Sequence, residues 1–223
     1  MYDLIRGPLV WIAFVVFGVG LVYQVIQFFR LTRKKETLYV TAASPPKDSE
    51  KRKGKMDRIH EAVCYLKKTV WYSHSSVMIV SAIFHFFLIV TPFFVLGHSI
   101  LLDRSLGFSI GSLSESMTDG FTLIVLFSAA FFFARRIAVA RVRAITTAYD
   151  YLTLLIAVAP FLTGYLAYHQ WFDYGAMMFL HILTGEVMLI AIPFTKLGHM
   201  LFFFLYRFFI GSEHSLSQAN RTW

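Results

Sequence analysis

Five long apolar stretches alternate with polar segments along the chain. They cover residues 8–29, 70–98, 119–136, 148–169 and 175–208. A helix that crosses the hydrocarbon core of a bilayer needs about 20 mostly apolar residues. The third stretch is the shortest, and arginines at its end can extend it by snorkelling to the surface. The pattern predicts an all-α membrane protein with five transmembrane helices, which form a single membrane domain over residues 1–223.

The composition indicates lipid rather than water as the solvent. Hydrophobic residues make up 57% of the chain and charged residues 15%, against about 45–50% and about 25% in soluble domains. A water-soluble enzyme is therefore excluded. The single cysteine, Cys64, excludes an intrachain disulfide, covalent haem attachment and a cysteine metal cluster. The first apolar run is long for a signal peptide and no Ala-x-Ala-like site follows it, which predicts a retained anchor.

The basic residues predict an orientation. A cytoplasmic basic loop at 30–69 holds 12 of the 21 Lys and Arg residues, whereas the opposite side of the membrane has only Arg6 and Arg104. The remaining loop and tail arginines fall on the same side as the basic loop: Arg135, Arg136, Arg141, Arg143, Arg207 and Arg221. The positive-inside rule places the N-terminus outside and the C-terminus in the cytoplasm. Topology thus accounts for the net charge of +8, and binding of nucleic acid is not needed to explain it. The basic residues could also dock an acidic partner or anionic lipid.

Histidines are the candidate functional residues. The chain has eight: His60, His74, His85, His98, His169, His181, His199 and His214. His60 and His214 lie in cytoplasmic polar segments, and His98 and His169 lie near the outer ends of spans two and four. The other four lie within spans two and five, where ionisable residues are rare and usually functional.

The spacing of these four histidines predicts two facing pairs. At about 100° per residue, His74 and His85 share one face of span two, and His181 and His199 share one face of span five. Because the two spans are antiparallel, His74 would face His199 near the cytoplasmic side, and His85 would face His181 nearer the outer side. Neutral imidazole suits iron, so the two pairs form a frame for two stacked b-type haems.

Two features of the spacing limit this interpretation. The rise between the histidines is about 16 Å in span two and about 27 Å in span five, a difference that tilt and a kink at Pro193 would have to absorb. His98 is 13 residues from His85, about 220° round a continuous helix, and is kept outside the ligand set. The alternative is that each histidine hydrogen-bonds a neighbouring helix. The small residues Ser75, Gly185 and Gly198 fit haem packing and ordinary helix packing equally well.

Other polar residues are secondary candidates. Lys196 could contact a haem propionate or snorkel to the cytoplasmic surface. Glu186 could relay quinone protons or hydrogen-bond a neighbouring helix. Five residues could gather at the outer mouth as a quinone site, although ordinary interfacial residues look the same in sequence: His98, Asp103, Arg104, Tyr168 and His169.

The chain resembles the gamma subunit family of respiratory nitrate reductase, through the His74/His85 and His181/His199 spacings. It is more similar to the membrane cytochrome b subunits of transmembrane redox complexes in sulfate-reducing bacteria. The runs that carry this second resemblance are residues 1–9 (MYDLIRGPL), 91–94 (TPFF), 161–174 (FLTGYLAYHQWFDY), 192–200 (IPFTKLGHM) and 209–213 (FIGSE). The resemblance covers nearly the whole chain except about 36–58.

The resemblance implies a subunit with two b haems in a bacterial cytoplasmic membrane. Its partners would be a cytoplasmic iron–sulfur subunit resembling heterodisulfide reductase and, on the outer side, menaquinone or a periplasmic multihaem cytochrome c. The expected function is electron transfer across the membrane within a respiratory oxidoreductase complex. Two rivals remain open from composition alone: a transporter that uses its histidines as a proton relay, and a structural anchor for soluble redox partners.

Overall fold

A computed structural model describes residues 4–32 and 75–199, together with residues 202, 203 and 205. Every regular element in these ranges is a helix. His60, His74, His214 and nearly all of the predicted basic loop lie outside the described residues.

The helices follow the apolar stretches of the sequence. A π-helical turn at Ile5–Leu9 leads into α1 (Val10–Thr32). The elements after the basic loop are α2 (Ser75–Phe94), α3 (Leu96–Leu106), α4 (Glu115–Ala138), α5 (Ala140–Ile145), α6 (Ala148–Tyr168), α7 (Tyr174–Phe194) and a 3₁₀ turn (Lys196–Gly198). Side-chain caps define two of the starts: Thr147 and Asp150 form a capping box on α6, and the Asp173 carboxylate accepts the Ala176 N–H at the start of α7.

Five of these helices are long and apolar enough to cross a membrane: α1 with its leading turn, α2, α4, α6 and α7. At most 28% of any of these spans is buried inside the protein, and large apolar side chains such as Trp11, Phe127 and Leu155 are exposed. Burial of that apolar surface requires a lipid-like environment. The prediction of an all-helical chain with five potential spans is confirmed for the described residues.

Two of the predicted spans are interrupted inside the bounds that the sequence indicated. The second apolar stretch breaks at Val95, whose backbone is extended (ψ 129°), and α3 begins after the break. The fifth predicted span ran to residue 208, but α7 ends at Phe194 and Thr195 is extended (ψ −178°). A proline precedes each break closely, Pro92 and Pro193. Proline removes a helical N–H and crowds the preceding turn, which favours a helix end. Pro160, in contrast, lies inside the continuous helix α6.

The helices pack in the spatial order α1, α7, α6, α4, α2. A small core at the centre of this row buries Phe84 of α2, Val125 and Ala129 of α4, and Phe161 of α6. Among the described residues, α2 and α7 are not a closely packed pair. We call the space between these two helices the seam.

A close contact joins α1 to α7. A Cβ atom at Gly20 would lie 2.7 Å from both Cβ and Cγ of Pro193. The Gln24 side chain donates its Nε2–H to the Pro193 carbonyl oxygen at 2.7 Å. The missing side chain at Gly20 therefore lets the two helices approach at the level where α7 ends.

Gly20→Ala is expected to destabilise the protein, because the added methyl overlaps the proline ring and such overpacking costs about 1–3 kcal/mol. The thermal unfolding midpoint in detergent should fall by several degrees. Gly18→Ala is the matched control, since a Cβ at Gly18 meets nothing within 4 Å. Equal midpoints for the two variants would show that the α1–α7 contact does not limit stability.

Candidate functional site

Two histidine pairs bridge the seam. The His85 ring of α2 lies 5.5 Å, centroid to centroid, from the ring of His199, which follows the 3₁₀ turn; the planes are 83° apart. The His98 ring of α3 lies 5.8 Å from the His181 ring of α7, with the planes 14° apart. We call these the inner pair (His85/His199) and the outer pair (His98/His181), after the predicted orientation.

These pairs differ from the predicted ones, which were His74/His199 and His85/His181. The described structure places His85 beside His199 and gives His181 a partner, His98, that the sequence argument had left out. The break at Val95 accounts for the inclusion of His98, and the predicted His74/His199 pair stays a prediction. The 220° separation of His85 and His98 assumed one continuous helix, and an extended residue resets the direction in which later side chains point. His74 lies outside the described residues.

The new pairing also reduces the mismatch in spacing. His85 and His98 are separated by 13 residues, against 11 for His74 and His85, and so come closer to the 18 residues between His181 and His199. The 18-residue segment is not one α-helix, because it contains the extended Thr195 and a 3₁₀ turn.

All four rings are held through the same atom. Each Nδ1 lies within hydrogen-bond distance of a backbone carbonyl oxygen: Ser81 for His85 (2.7 Å), Pro92 for His98 (2.8 Å), Pro160 for His181 (2.8 Å) and Lys196 for His199 (2.7 Å). A carbonyl oxygen can only accept, so Nδ1 carries the proton and donates it. Each Nε2 is then unprotonated and has its lone pair available. Such an orienting bond on the second ring nitrogen is typical of metal-binding histidines.

Local structure explains why these carbonyls are available. The last carbonyls of a helix lack intrahelical partners, and Pro92 lies in the last turn of α2, where it accepts from His98. Lys196 belongs to the 3₁₀ turn that directly precedes His199. The Pro160 carbonyl reaches His181 from the neighbouring helix α6.

Two glycines shape the surroundings of His181. A Cβ at Gly164 of α6 would lie 2.9 Å from both Cε1 and Nδ1 of the His181 ring, so only glycine admits the ring there. Gly185 follows His181 by about one turn, and a Cβ there would meet nothing within 4 Å. The seam therefore has open space beside the outer pair.

The ring separations fit two imidazoles on opposite sides of one metal ion. A metal–imidazole bond is about 2 Å long, which places the two ring centres roughly 6 Å apart. Among the described residues, no group of three or more His, Cys, Asp or Glu side chains could hold a metal ion. Each pair offers two nitrogen donors, and four equatorial donors would have to come from a macrocycle. The donor set therefore fits haem b at both pairs.

Lys196 has a partner other than the predicted propionate. Its Nζ lies 2.7 Å from Oδ1 of Asp150, at the start of α6, and 5.2 Å from the ring centre of Tyr149. The Asp150 carbonyl in turn accepts a hydrogen bond from Arg136 at 2.6 Å. These contacts link α4, α6 and the 3₁₀ turn beside His199. They hold the segment whose carbonyl orients the His199 ring.

The predicted outer mouth is only partly assembled. The His169 ring packs against Tyr168 (5.2 Å) and Tyr165 (4.3 Å). Its Nε2 lies 3.1 Å from a carboxylate oxygen of Asp119, a residue of α4 that the sequence analysis did not single out. Nothing in the sequence signals that contact, because it depends on how α4 packs on α6.

The other members of the predicted mouth lie elsewhere. His98 belongs to the outer pair. Asp103 and Arg104 are exposed near the end of α3, and no described contact joins them to His169. Glu186 lies deep in α7 and is 4% exposed.

Comparison with known proteins identifies one relative and no described function. The chain is 30% identical over 223 residues to a protein of Nitratidesulfovibrio vulgaris strain Hildenborough, a match that covers 100% of this chain and 97% of the relative. That relative carries no description beyond the word "protein". No model of a known protein family matches the chain, and no solved structure matches it.

Proposed function

We propose that this chain, which belongs to the same family as the Nitratidesulfovibrio vulgaris protein, is a two-haem cytochrome b subunit that carries electrons across a membrane. One observation supports this most strongly. Two pairs of histidine rings face each other at the separation required by a single metal ion, and all four direct Nδ1 toward a backbone carbonyl. A histidine that served only as a hydrogen-bonding core residue would not need a second imidazole at that distance.

The residues of the chain perform a binding and positioning role. The two imidazoles of a pair would hold one haem b, and a pair that supplies two nitrogen ligands suits electron transfer rather than the binding of oxygen or another ligand. Haem b held in this way supplies a reversible one-electron iron couple. The hydrogen bonds to Ser81, Pro92, Pro160 and Lys196 keep each ring in the tautomer that can ligate and raise its basicity.

The orientation places the pairs at two depths. With the N-terminus outside and the C-terminus in the cytoplasm, the outer pair lies toward the outer surface and the inner pair toward the cytoplasm. We assign the protein to a bacterial cytoplasmic membrane. The outer pair would exchange electrons with menaquinone or a periplasmic multihaem cytochrome c, and the inner pair with a cytoplasmic iron–sulfur subunit of an oxidoreductase complex.

The haem content of the purified native complex tests this proposal. We expect a pyridine haemochrome assay to give two b haems per chain, and a redox-titrated optical spectrum to resolve two midpoint potentials. A folded chain without haem b would overturn the proposal. In that case the buried histidines would have to be explained as a proton relay, which predicts flux in liposomes.

A further inference from the structure

Glu186 is a buried carboxyl group that the haem arrangement does not use. It lies in α7, in a helix that otherwise contains no Asp, Glu, Lys or Arg. The residue is 4% exposed, and neither carboxyl oxygen has a hydrogen-bond partner among the described residues. A buried polar group without a partner in a native protein requires an explanation.

The register of α1 on α7 identifies what covers Glu186. Gly20 lies against Pro193, and Phe28 of α1 lies 6.3 Å from Phe202, which follows the end of α7, so the two segments run parallel. Ala13 lies seven residues before Gly20, and Glu186 lies seven residues before Pro193. Seven residues are close to two helical turns, so Ala13 faces Glu186 across the contact. Ala13 is 0% exposed, and its methyl group cannot hydrogen-bond a carboxylate.

The titratable groups of the neighbouring elements lie at other levels. At the level of Glu186, α6 carries Ala157, Pro160 and Phe161, as the Thr163–Thr184 contact fixes the register of these antiparallel helices. The titratable residues on α1, its leading turn, α6 and the 3₁₀ turn are Arg6, Tyr23, Arg30, Tyr149, Asp150, Tyr151, Tyr165, Tyr168 and Lys196. None of them is at the level of Glu186 in this register. An unpaired carboxylate in such surroundings is far costlier than the neutral acid, so Glu186 releases its proton only when a positive charge nearby offsets that cost.

Glu186 is close to the outer pair without touching it. It follows His181 by five residues, which is about 7.5 Å along the helix and about 140° round it. At such a distance inside a protein, one added electron changes the affinity of a carboxylate for its proton by roughly tenfold.

We infer that Glu186 is a proton-binding site inside the membrane, coupled to the electron at the outer pair. The carboxylate takes up one proton when the outer pair's carrier gains one electron, and it releases that proton when the electron leaves. The inference rests on the proposed function for its electron carrier. The presence of a proton on Glu186 does not depend on the proposed function.

The experiment compares the native complex with Glu186→Gln, using Glu115→Gln as the matched control. Glu115 is an exposed acid at the start of α4. Infrared spectra of the oxidised and of the reduced complex, each recorded in H₂O and in D₂O, report protonated carboxyl groups directly. We expect a carboxylic acid band that shifts in D₂O and changes on reduction, present in the native protein and the control and absent in Glu186→Gln.

Redox titrations at several pH values provide the second measurement. The midpoint potential of the outer pair should fall with rising pH, since reduction binds a proton. The slope should end after a total fall of about 59 mV, which corresponds to a tenfold change in proton affinity for a one-electron couple. Glu186→Gln should abolish this slope, and Glu115→Gln should keep it. The inference would be overturned by a Glu186 band that does not change on reduction. It would also be overturned if the midpoint potential of Glu186→Gln still fell with rising pH. Absence of haem would instead overturn the proposed function, while the D₂O-sensitive band would still report the proton on Glu186.

Discussion

Replacing His98 with alanine is expected to remove one of the two haems and to leave the other in place. In the structure, His98 is the partner of His181 at 5.8 Å, so the outer pair loses half of its axial ligands while the inner pair keeps both. Haem content by pyridine haemochrome should fall from two per chain to one. The surviving redox transition should match one of the two native transitions.

His74→Ala separates this pairing from the one predicted by helical periodicity. If His85 pairs with His199, as the ring distance of 5.5 Å indicates, then His74→Ala keeps both haems. If His74 is the partner of His199, then His74→Ala loses a haem and His98→Ala keeps two. His169→Ala should keep both haems under either pairing, and it controls for the loss of a histidine near the outer surface.

Gly164→Ala is expected to weaken haem binding at the outer pair alone. The new methyl would lie 2.9 Å from two atoms of the His181 ring, so the ring must move away from α6. A forced shift of this kind costs about 1–3 kcal/mol, which is roughly a tenfold to hundredfold loss of affinity. The loss of affinity is measured as haem retention during dilution in detergent, monitored through the redox transition of the outer pair.

Gly120→Ala is the control for that variant, because a Cβ at Gly120 meets nothing within 4 Å. It should retain both haems as the unmodified protein does. If Gly164→Ala also retained both haems, the position of His181 against α6 would not matter for binding. The role of the Pro160 carbonyl in orienting that ring would then be contradicted as well.

Much of the architecture could be predicted from the sequence, because each helix that crosses a bilayer requires about 20 mostly apolar residues. Five apolar stretches predicted five helices, and His181 and His199 on the fifth apolar stretch each belong to a described histidine pair. His98 as a partner on the second stretch could not be predicted by the same rule. Periodicity assumes an unbroken helix, and the chain breaks at Val95.

A signal for that break was nevertheless present. The uncharged second stretch runs well beyond the length that a bilayer requires, and Pro92 lies near its middle third. Both features favour two helices over one. The Lys196–Asp150 ion pair and the His169–Asp119 contact carry no such signal, because each joins residues on different helices and depends on tertiary packing.

The carbonyl bonds to the four Nδ1 atoms bear on the speed of electron transfer. A centre that exchanges electrons quickly must change little in shape when its charge changes, since every atom that has to move adds to the barrier. Here the direction of each imidazole is set by the backbone at Ser81, Pro92, Pro160 and Lys196. Under the proposed function, both oxidation states of a bound haem would meet the same ligand geometry, and the protein fold would keep the reorganisation energy low.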